Sequence, residues 1–524
     1  MSQRPQTACA AAQGAAQRAW GARCGYTARF AFPAPRLEQH HPPMDAPLST
    51  AQPLPRPLPA LRVDAHGKRR VDFRAVIALA APLFLNSGVQ AVLNLTDTWF
   101  LGRISTEATA GVGAVYWFVI VFILIFGGVA MAVQTLVAQA HGAGERAQAA
   151  QIAWAGLWAS LCLVPLFFAV SLSGRALLAL FALPPGIEAA ALAFWFPRLL
   201  GAAAGVALWS VTSFFNGIGR TVVTLVVMLI VAAANVPLNQ LFIFELGLGV
   251  AGAAWATGAA QLLGVGGALA LFLSAPVRRE FDCARHWRPR AAALRRLFSL
   301  GLPMGLLPAA DLTGLALFQA MLAALGAASG AATQIVMMMT SIAYMPAVGI
   351  ASAGTTLVGQ SIGAGDRRWA HKVGNAAILV NVAYMGLVSL VLALAGPWLL
   401  PLFVSPADPN ARAVIDIGRV LLWIAAAYQI FDGFNLGAGF CLRGAGDVRV
   451  PALLVLLLSW LGFVPLTHML AFAPGQGWVQ VLPQFGLGAA GGWSALLLYT
   501  GAVGAVMYLR WRSGAWRGID LSRS

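Results

Sequence analysis

Charge is what this sequence has least of. Asp, Glu, Lys and Arg together make up 10% of its 524 residues, against about 25% in an ordinary soluble domain. That scarcity excludes a soluble enzyme or binding domain. Lysine is nearly missing, with Lys68 and Lys372 the two in the chain. No GxxxxGK[ST] cradle exists, so P-loop ATP hydrolysis is excluded, and no HExxH is present. The five cysteines (Cys9, Cys24, Cys162, Cys283 and Cys441) are scattered without a CxxC pair or finger spacing, which removes a redox or zinc framework. Residues 1–72 also lack an apolar stretch long enough for a signal-peptide core.

What the chain has in abundance is apolar surface: 59% hydrophobic residues and a mean hydropathy of +0.76. That much apolar sequence accommodates about a dozen membrane helices of about 20 residues each. Hydrophobic stretches alternate with short polar connections and predict twelve spans, at 74–101, 111–138, 151–173, 189–217, 222–244, 249–275, 296–325, 330–361, 373–401, 412–442, 450–472 and 486–510.

The net charge of +16 would suit nucleic acid, but the arginines beside the spans read more simply as membrane topology. Alternate loops hold Arg146, Arg220, Arg278, Arg279, Arg285, Arg288, Arg290, Arg295, Arg296, Arg367, Arg368, Lys372, Arg443 and Arg449, whereas the intervening loops hold Arg103, Arg175 and Arg412. The positive-inside rule then predicts twelve crossings with both termini in the cytoplasm. Residues 1–72, rich in Ala, Pro and Arg, read as a disordered cytosolic tail. Their Arg-rich, acid-poor start is also the composition of a targeting peptide, and Met44 offers a second possible start.

An internal repeat divides the membrane region. Residues 128–146 (GVAMAVQTLVAQAHGAGER) and 349–367 (GIASAGTTLVGQSIGAGDR) agree at 11 of 19 positions with an offset of 221, which also carries Pro82 onto Pro303 and Arg198 onto Arg419. The expected organisation is a six-helix half at 73–275, a basic linker at 276–295, a second half at 296–511 and a cytosolic tail at 512–524. Because six is even, the halves share an orientation and are related by an axis along the membrane normal. Two such halves with a cavity between them have the geometry of an alternating-access transporter.

Three acids fall well inside the spans: Asp97, Asp311 and Asp432. An acid at a membrane-helix centre costs about 2.5–3.5 kcal/mol, so each needs a partner, a wet cavity or a proton. Burial and an approaching cation act oppositely on a carboxylate, which suits these acids to exchanging protons for sodium or a cationic solute. Asn86, Gln90, Asn94 and Asp97 share one helical face, as do Tyr428, Asp432 and Asn435. Asn235 and Asn239 mark the fifth span, and Thr257 and Gln261 the sixth. Such stripes face the bundle interior, where the amides equally serve interhelical hydrogen bonding.

Arg198 and Arg419 occupy equivalent places near outer span ends. They read as packing or snorkelling residues, or as substrate contacts, with Asp416 the ion partner of Arg419. Met337, Met338 and Met339 can line an adaptable cavity or simply pack. Pro82, Pro303 and Pro308 let their helices bend. GQSIG (359–363) matches G-x-S-x-G but ends a membrane helix instead of following a strand, so it is not a nucleophile elbow.

The run LTDTWFLGRISTEATAGVG after a Pro-containing first helix, the paired GAGER and GAGDR loops, NVPLN in the fifth span and LRGAGD after the tenth together resemble the multidrug and toxic compound extrusion (MATE) transporters, over about residues 73–510. The resemblance implies an all-α integral membrane fold: twelve helices in two parallel-related six-helix bundles, arranged as a V. It implies an antiporter, not an enzyme, that exports cationic amphipathic compounds in exchange for sodium ions or protons from a bacterial-type inner membrane. No cofactor other than that coupling ion and no nucleic acid is expected, and one two-lobed chain would work as a monomer.

Within the resemblance, Asp97 takes the place of the helix 1 acid, accompanied by Asn235, Asn239 and Thr257. Asp311 falls where the NorM-like branch has a helix 7 glutamate, and Tyr428 and Asp432 match its Y-x-x-x-D in helix 10. A sodium ion would sit at Asp97 or at the Asp311–Asp432 pair. Asn86, Gln90, Asn94, Gln261, Met337 and Asn435 are the cavity-lining candidates. The same superfamily offers a lipid-linked saccharide flippase as an alternative, which would need a cationic cavity. An integral-membrane transferase would need acids or histidines clustered at a surface loop, whereas the histidines here are dispersed.

Overall fold

The computed structural model describes residues 58–179, 184–404 and 409–519. Most of the expected tail, with Met44, therefore lies outside the described residues. The described chain is helical except for one small hairpin, and twelve of its helices are long and apolar enough to cross a membrane. In chain order these are α1 (Phe73–Gly102), α2 (Thr106–Gly142), α3 (Arg146–Ser171), α4 (Pro185–Gly217), α5 (Thr221–Glu245), α6 (Gly249–Phe272), α7 (Ala291–Ala324), α8 (Ala327–Gly363), α9 (Arg367–Leu399), α10 (Ala411–Ala445), α11 (Arg449–Ala471) and α12 (Gly488–Ser513). Each coincides with an expected span. Several run past the apolar stretch because polar caps satisfy their first N–H groups. The Ser105 side chain accepts from Ala108 N ahead of α2, and Asp366 accepts from Trp369 N ahead of α9.

Within each half the fourth helix is central. α4 packs on α2, α3 and α6, and α10 packs on α8, α9 and α12. Both fifth helices contain a π-turn, Leu241–Glu245 at the end of α5 and Leu458–Phe463 inside α11. The linker is more ordered than its composition implies. It contains a short helix (Ala275–Phe281) and a 3-10 turn, and α7 begins at Ala291. It is moored to α3 by Trp154 Nε1 donating to the Cys283 carbonyl at 2.9 Å.

The halves meet along α1–α8 and α2–α7. Glycines allow the close approach: a Cβ at Gly128 would collide with the backbone of Gly301 and Gly305, and one at Gly142 or Gly363 with backbone of the opposite half. The repeated segments lie on this seam. Gln139 Nε2 donates to the Gly444 carbonyl at 3.0 Å and Thr135 Oγ1 to the Arg443 carbonyl at 3.1 Å. Their repeat partners do the same in the other direction, Gln360 Nε2 to the Gly217 carbonyl at 2.8 Å and Thr356 Oγ1 to the Asn216 carbonyl at 2.9 Å. Each half thus donates to carbonyls of the last turn of its partner half's fourth helix, where intrahelical partners run out. The turns beyond those termini are anchored by ion pairs of opposite sense: Arg220 to Glu280 at 2.5 Å, and Asp447 to Arg510 through two bonds of 2.7 and 3.0 Å.

The expected disorder of residues 1–72 does not hold for its last part. Strands β1 (Leu61–Val63) and β2 (Arg69–Val71) pair antiparallel. The turn between them is built by Asp64, whose carboxylate accepts from His66 N and Lys68 N, and by Gly67 at φ 73°. Those backbone N–H groups hold the Asp64 carboxyl below its usual range. The hairpin docks on the opposite half, where Trp369 Nε1 donates to the Pro59 carbonyl at 2.9 Å and Arg69 pairs with Asp366 at 3.1 Å. At the other end of the chain Trp516 is buried and stacks on Trp511, ring centroids 4.7 Å apart.

Candidate functional site

In the N-terminal half, α1, α5 and α6 bring together residues that the sequence places far apart. One carboxylate oxygen of Asp97 accepts from Asn239 Nδ2 at 2.8 Å, and the other accepts from Thr257 Oγ1 at 3.0 Å. Asn239 Nδ2 also donates to Asn235 Oδ1 at 2.8 Å, so the two α5 amides act as one unit. Both asparagines are fully buried. Asn239 Oδ1 and Asn235 Nδ2 find no partner, and the former is an oxygen of the kind a hard cation ligates. All four expected members of this cluster are in place.

The outlying candidates behave differently. Asn86 is half-buried with its Oδ1 unpartnered, and Gln90 and Asn94 are exposed. Gln261, one turn beyond Thr257, packs against Gly205 of α4 with its Oε1 unpartnered. None of these four bonds to Asp97. Arg198 corrects the symmetric packing expectation. It lies in the electrostatic range of Asp97 and Tyr116, whereas Arg419 is exposed and pairs with Asp416 at 3.8 Å. Equivalent positions in the repeat have therefore diverged, with one cation in the electrostatic range of an interior acid and the other paired on its own helix.

In the C-terminal half, Asp311 of α7 and Asp432 of α10 lie close enough for their charges to interact. Asp432 is buried and accepts from Asn435 Nδ2 at 3.0 Å. Tyr428 does not join them as its helical spacing implied. Its ring packs against Trp493 with centroids 5.9 Å apart, and among the described residues it bonds to neither acid. The shared face does keep Tyr428 within electrostatic range of Asp432, so what is missing is a hydrogen bond between them. The tyrosine that does bond is Tyr499, which the sequence reading missed. Its hydroxyl donates to Asp311 Oδ1 at 2.7 Å from α12. A tyrosine midway along an apolar span was the available signal. Met337 packs half-buried against the core of this half.

A cleft of 520 Å³ lies between the halves, lined by Trp117 of α2, by Gln319 and its alanine neighbours on α7, and by Thr333 and Gln334 on α8. Among the described residues no group of three or more His, Cys, Asp or Glu side chains converges. What the arrangement offers is one acid in the first half and a pair in the second, hydrogen-bonded by neutral donors, so the gain or loss of a positive charge is their natural chemistry.

The MatE family profile matches residues 82–241 and 311–467. The chain is 31% identical over 440 residues to a protein of Pseudomonas putida named probable multidrug resistance protein NorM, spanning 81% of this chain and 93% of the relative. A Burkholderia mallei protein of the same name is 34% identical over 448 residues, covering 83% and 91%. Among solved structures, one described as MATE in the straight conformation superimposes with a TM-score of 0.74 at 20% identity, covering 85% of this chain and 97% of the other.

Proposed function

Because the chain belongs to the MATE family of membrane transporters, we propose that it exports cationic, amphipathic compounds in exchange for sodium ions or protons by alternating access. The observation that carries this reading is Asp97, a carboxylate set inside a membrane helix and held by donors from two other helices of the same half. Such an acid can bind a proton, a sodium ion or an organic cation, but not two of them at once. Competition for one negative charge is the simplest route to antiport. Asp311 and Asp432 give the second half the same capacity.

The mechanism follows from where the halves touch. The seam of Gln139, Gln360 and the facing glycines lies at the end bearing the 143–146, 218–220, 364–367 and 446–449 turns. These turns carry or adjoin the basic residues assigned to the cytoplasm. With that assignment the protein is sealed on the cytoplasmic side, both termini are cytoplasmic, and the acids are reached from outside. A coupling ion entering from outside neutralises Asp97 or the Asp311–Asp432 pair, displaces the cationic solute and lets the seam open inward. The membrane potential contributes about 2.3 kcal/mol per net charge per 100 mV. One chain contains both halves, so a monomer suffices.

The flippase alternative needs free cations in the cavity for a pyrophosphate. Arg198 shares its field with Asp97, and Arg419 with Asp416, which favours cation export. The test is ethidium accumulation in pump-deficient bacteria expressing wild type, Asp97→Asn, Asp311→Asn or Asp432→Asn at matched membrane levels. Wild type is expected to lower accumulation and the variants are not. Full activity in all three variants would refute coupling through these acids.

A further inference from the structure

We propose that Tyr499 is the positioning residue of Asp311, so that each half holds its first-helix acid by a hydroxyl from its sixth helix. The inference rests on Asp311 being a coupling carboxylate. In the first half the hydroxyl is Thr257 of α6, donating to Asp97 of α1 at 3.0 Å. In the second it is Tyr499 of α12, donating to Asp311 of α7 at 2.7 Å. By the order of the repeat, α7 is the counterpart of α1 and α12 of α6. The correspondence is hidden in the sequence because neither pair keeps the offset of 221, and because a phenol replaces a short alcohol.

The Tyr499 ring has little freedom to look elsewhere. It stacks on Phe463 with centroids 4.7 Å apart and planes at 20°, and Phe463 stacks in turn on Phe318 at 5.6 Å. Phe318 meets Trp493 edge-on at 5.9 Å. Behind the phenol lies Ser459, fully buried, near the Tyr499 hydroxyl and with its Oγ making no hydrogen bond. The π-turn of α11 carries Ser459 to that place. Gly314, three residues after Asp311, leaves the room, since a Cβ there would stand 2.5 Å from Ser459 Oγ.

Three helices thus converge on the acid: α12 brings the hydroxyl that donates to Asp311 of α7, and α11 sets Ser459 behind it. π-turns often mark functional positions, and the one in α5 begins two residues after Asn239, the other donor to Asp97. A donated O–H stabilises a charged carboxylate and fixes the oxygen that accepts it. The second oxygen of Asp311 is left for the exchanging cation. Tyr499 touches no transported species in this scheme and acts through the acid alone.

The test is the pH profile of ethidium exchange by the purified full-length protein in proteoliposomes, for wild type, Tyr499→Phe, Ser459→Ala and Tyr428→Phe. Without its donor the acid holds a proton more tightly, whether protons drive exchange or compete with sodium. In Tyr499→Phe the half-maximal pH is expected to move to more alkaline values by roughly one unit, a tenfold change in proton affinity. Ser459→Ala should move it the same way by less, and Tyr428→Phe not at all. A wild-type profile in Tyr499→Phe, or an equal shift in Tyr428→Phe, overturns the proposal. If Tyr499→Phe does not reach the membrane, a wild-type profile in Ser459→Ala overturns it. Full exchange in Asp311→Asn would instead overturn the coupling role of the acid, so the two failures are distinguishable.

Discussion

Replacing both seam glutamines, Gln139→Ala with Gln360→Ala, perturbs the closed end of the transporter without touching any acid. Each amide donates one bond across the seam, at 3.0 Å to Gly444 and at 2.8 Å to Gly217. A neutral hydrogen bond contributes about 1 kcal/mol net, because water replaces the donor once the carbonyl is released. Both bonds exist only while the halves are closed, so the two losses act on one equilibrium and total about 2 kcal/mol. That shifts the closed-to-open ratio roughly 30-fold toward open. Spin labels at Glu145 and Arg368, exposed and on opposite halves at this end, report the ratio in a cysteine-free background. The double variant is expected to gain a second, longer distance population, and each single variant about a fivefold change. Distance distributions that superimpose on wild type would refute the reasoning, because the amides would then hold nothing together.

Four further outcomes follow from the geometry. Asn239→Ala removes a donor to Asp97 and leaves Asn235 unpaired, so ethidium export should fall at least tenfold at matched membrane level, while Thr257→Ser stays near wild type. Asp447→Asn breaks a two-bond ion pair whose acid is 4% exposed. It should cost about 2–3 kcal/mol, below the range for fully buried pairs because Arg510 keeps contact with water, and a thermal melt in detergent measures it. Trp369→Phe removes the bond to Pro59, worth about 1 kcal/mol, so trypsin should cut at Lys68 to Arg70 about fivefold faster. Burial pushes the Cys283 thiol up to about 12, which leaves almost no thiolate at neutral pH. Mass spectrometry should find Cys283 unlabelled by maleimide until the protein is unfolded.

How far the sequence carried depended on what kind of information each feature needs. Hydropathy located every span, because a membrane helix must be apolar over its whole length. It missed the ends at Ser105 and Asp366, where one side chain extends a helix into polar sequence. The hairpin before α1 was lost in the average composition of a long Ala- and Pro-rich stretch. Locally, Asp64 and Gly67 between LRV and RRV are a turn between two short strands. Asn235, Asn239 and Thr257 stand out as polar residues in apolar spans that must find a partner, but it is the resemblance to the family that grouped them with Asp97.

Tyr428 and Tyr499 show the limit of that reasoning. Spacing along one helix says which residues share a face, and it correctly grouped Tyr428 with Asp432. It cannot say which side chain of another helix supplies the hydrogen bond, and for Asp311 that was Tyr499 of α12. The repeat was plain from identity alone. Its purpose was not, since Gln139 and Gln360 look like ordinary polar residues until the two halves are brought face to face.

The seam has a consequence for assembly. Each half supplies a hook, its Gln and Thr, and an eye, the carbonyls that end its fourth helix. A surface that carries both members of a matched pair is self-complementary, as in the isologous interface of a twofold dimer. The molecule is in that sense a dimer that happens to be one chain. Its linker raises the local concentration of one half about the other and is not needed to define the fit. Halves expressed as separate chains, parted within residues 284–290, should find each other in the bilayer and close the same two fasteners.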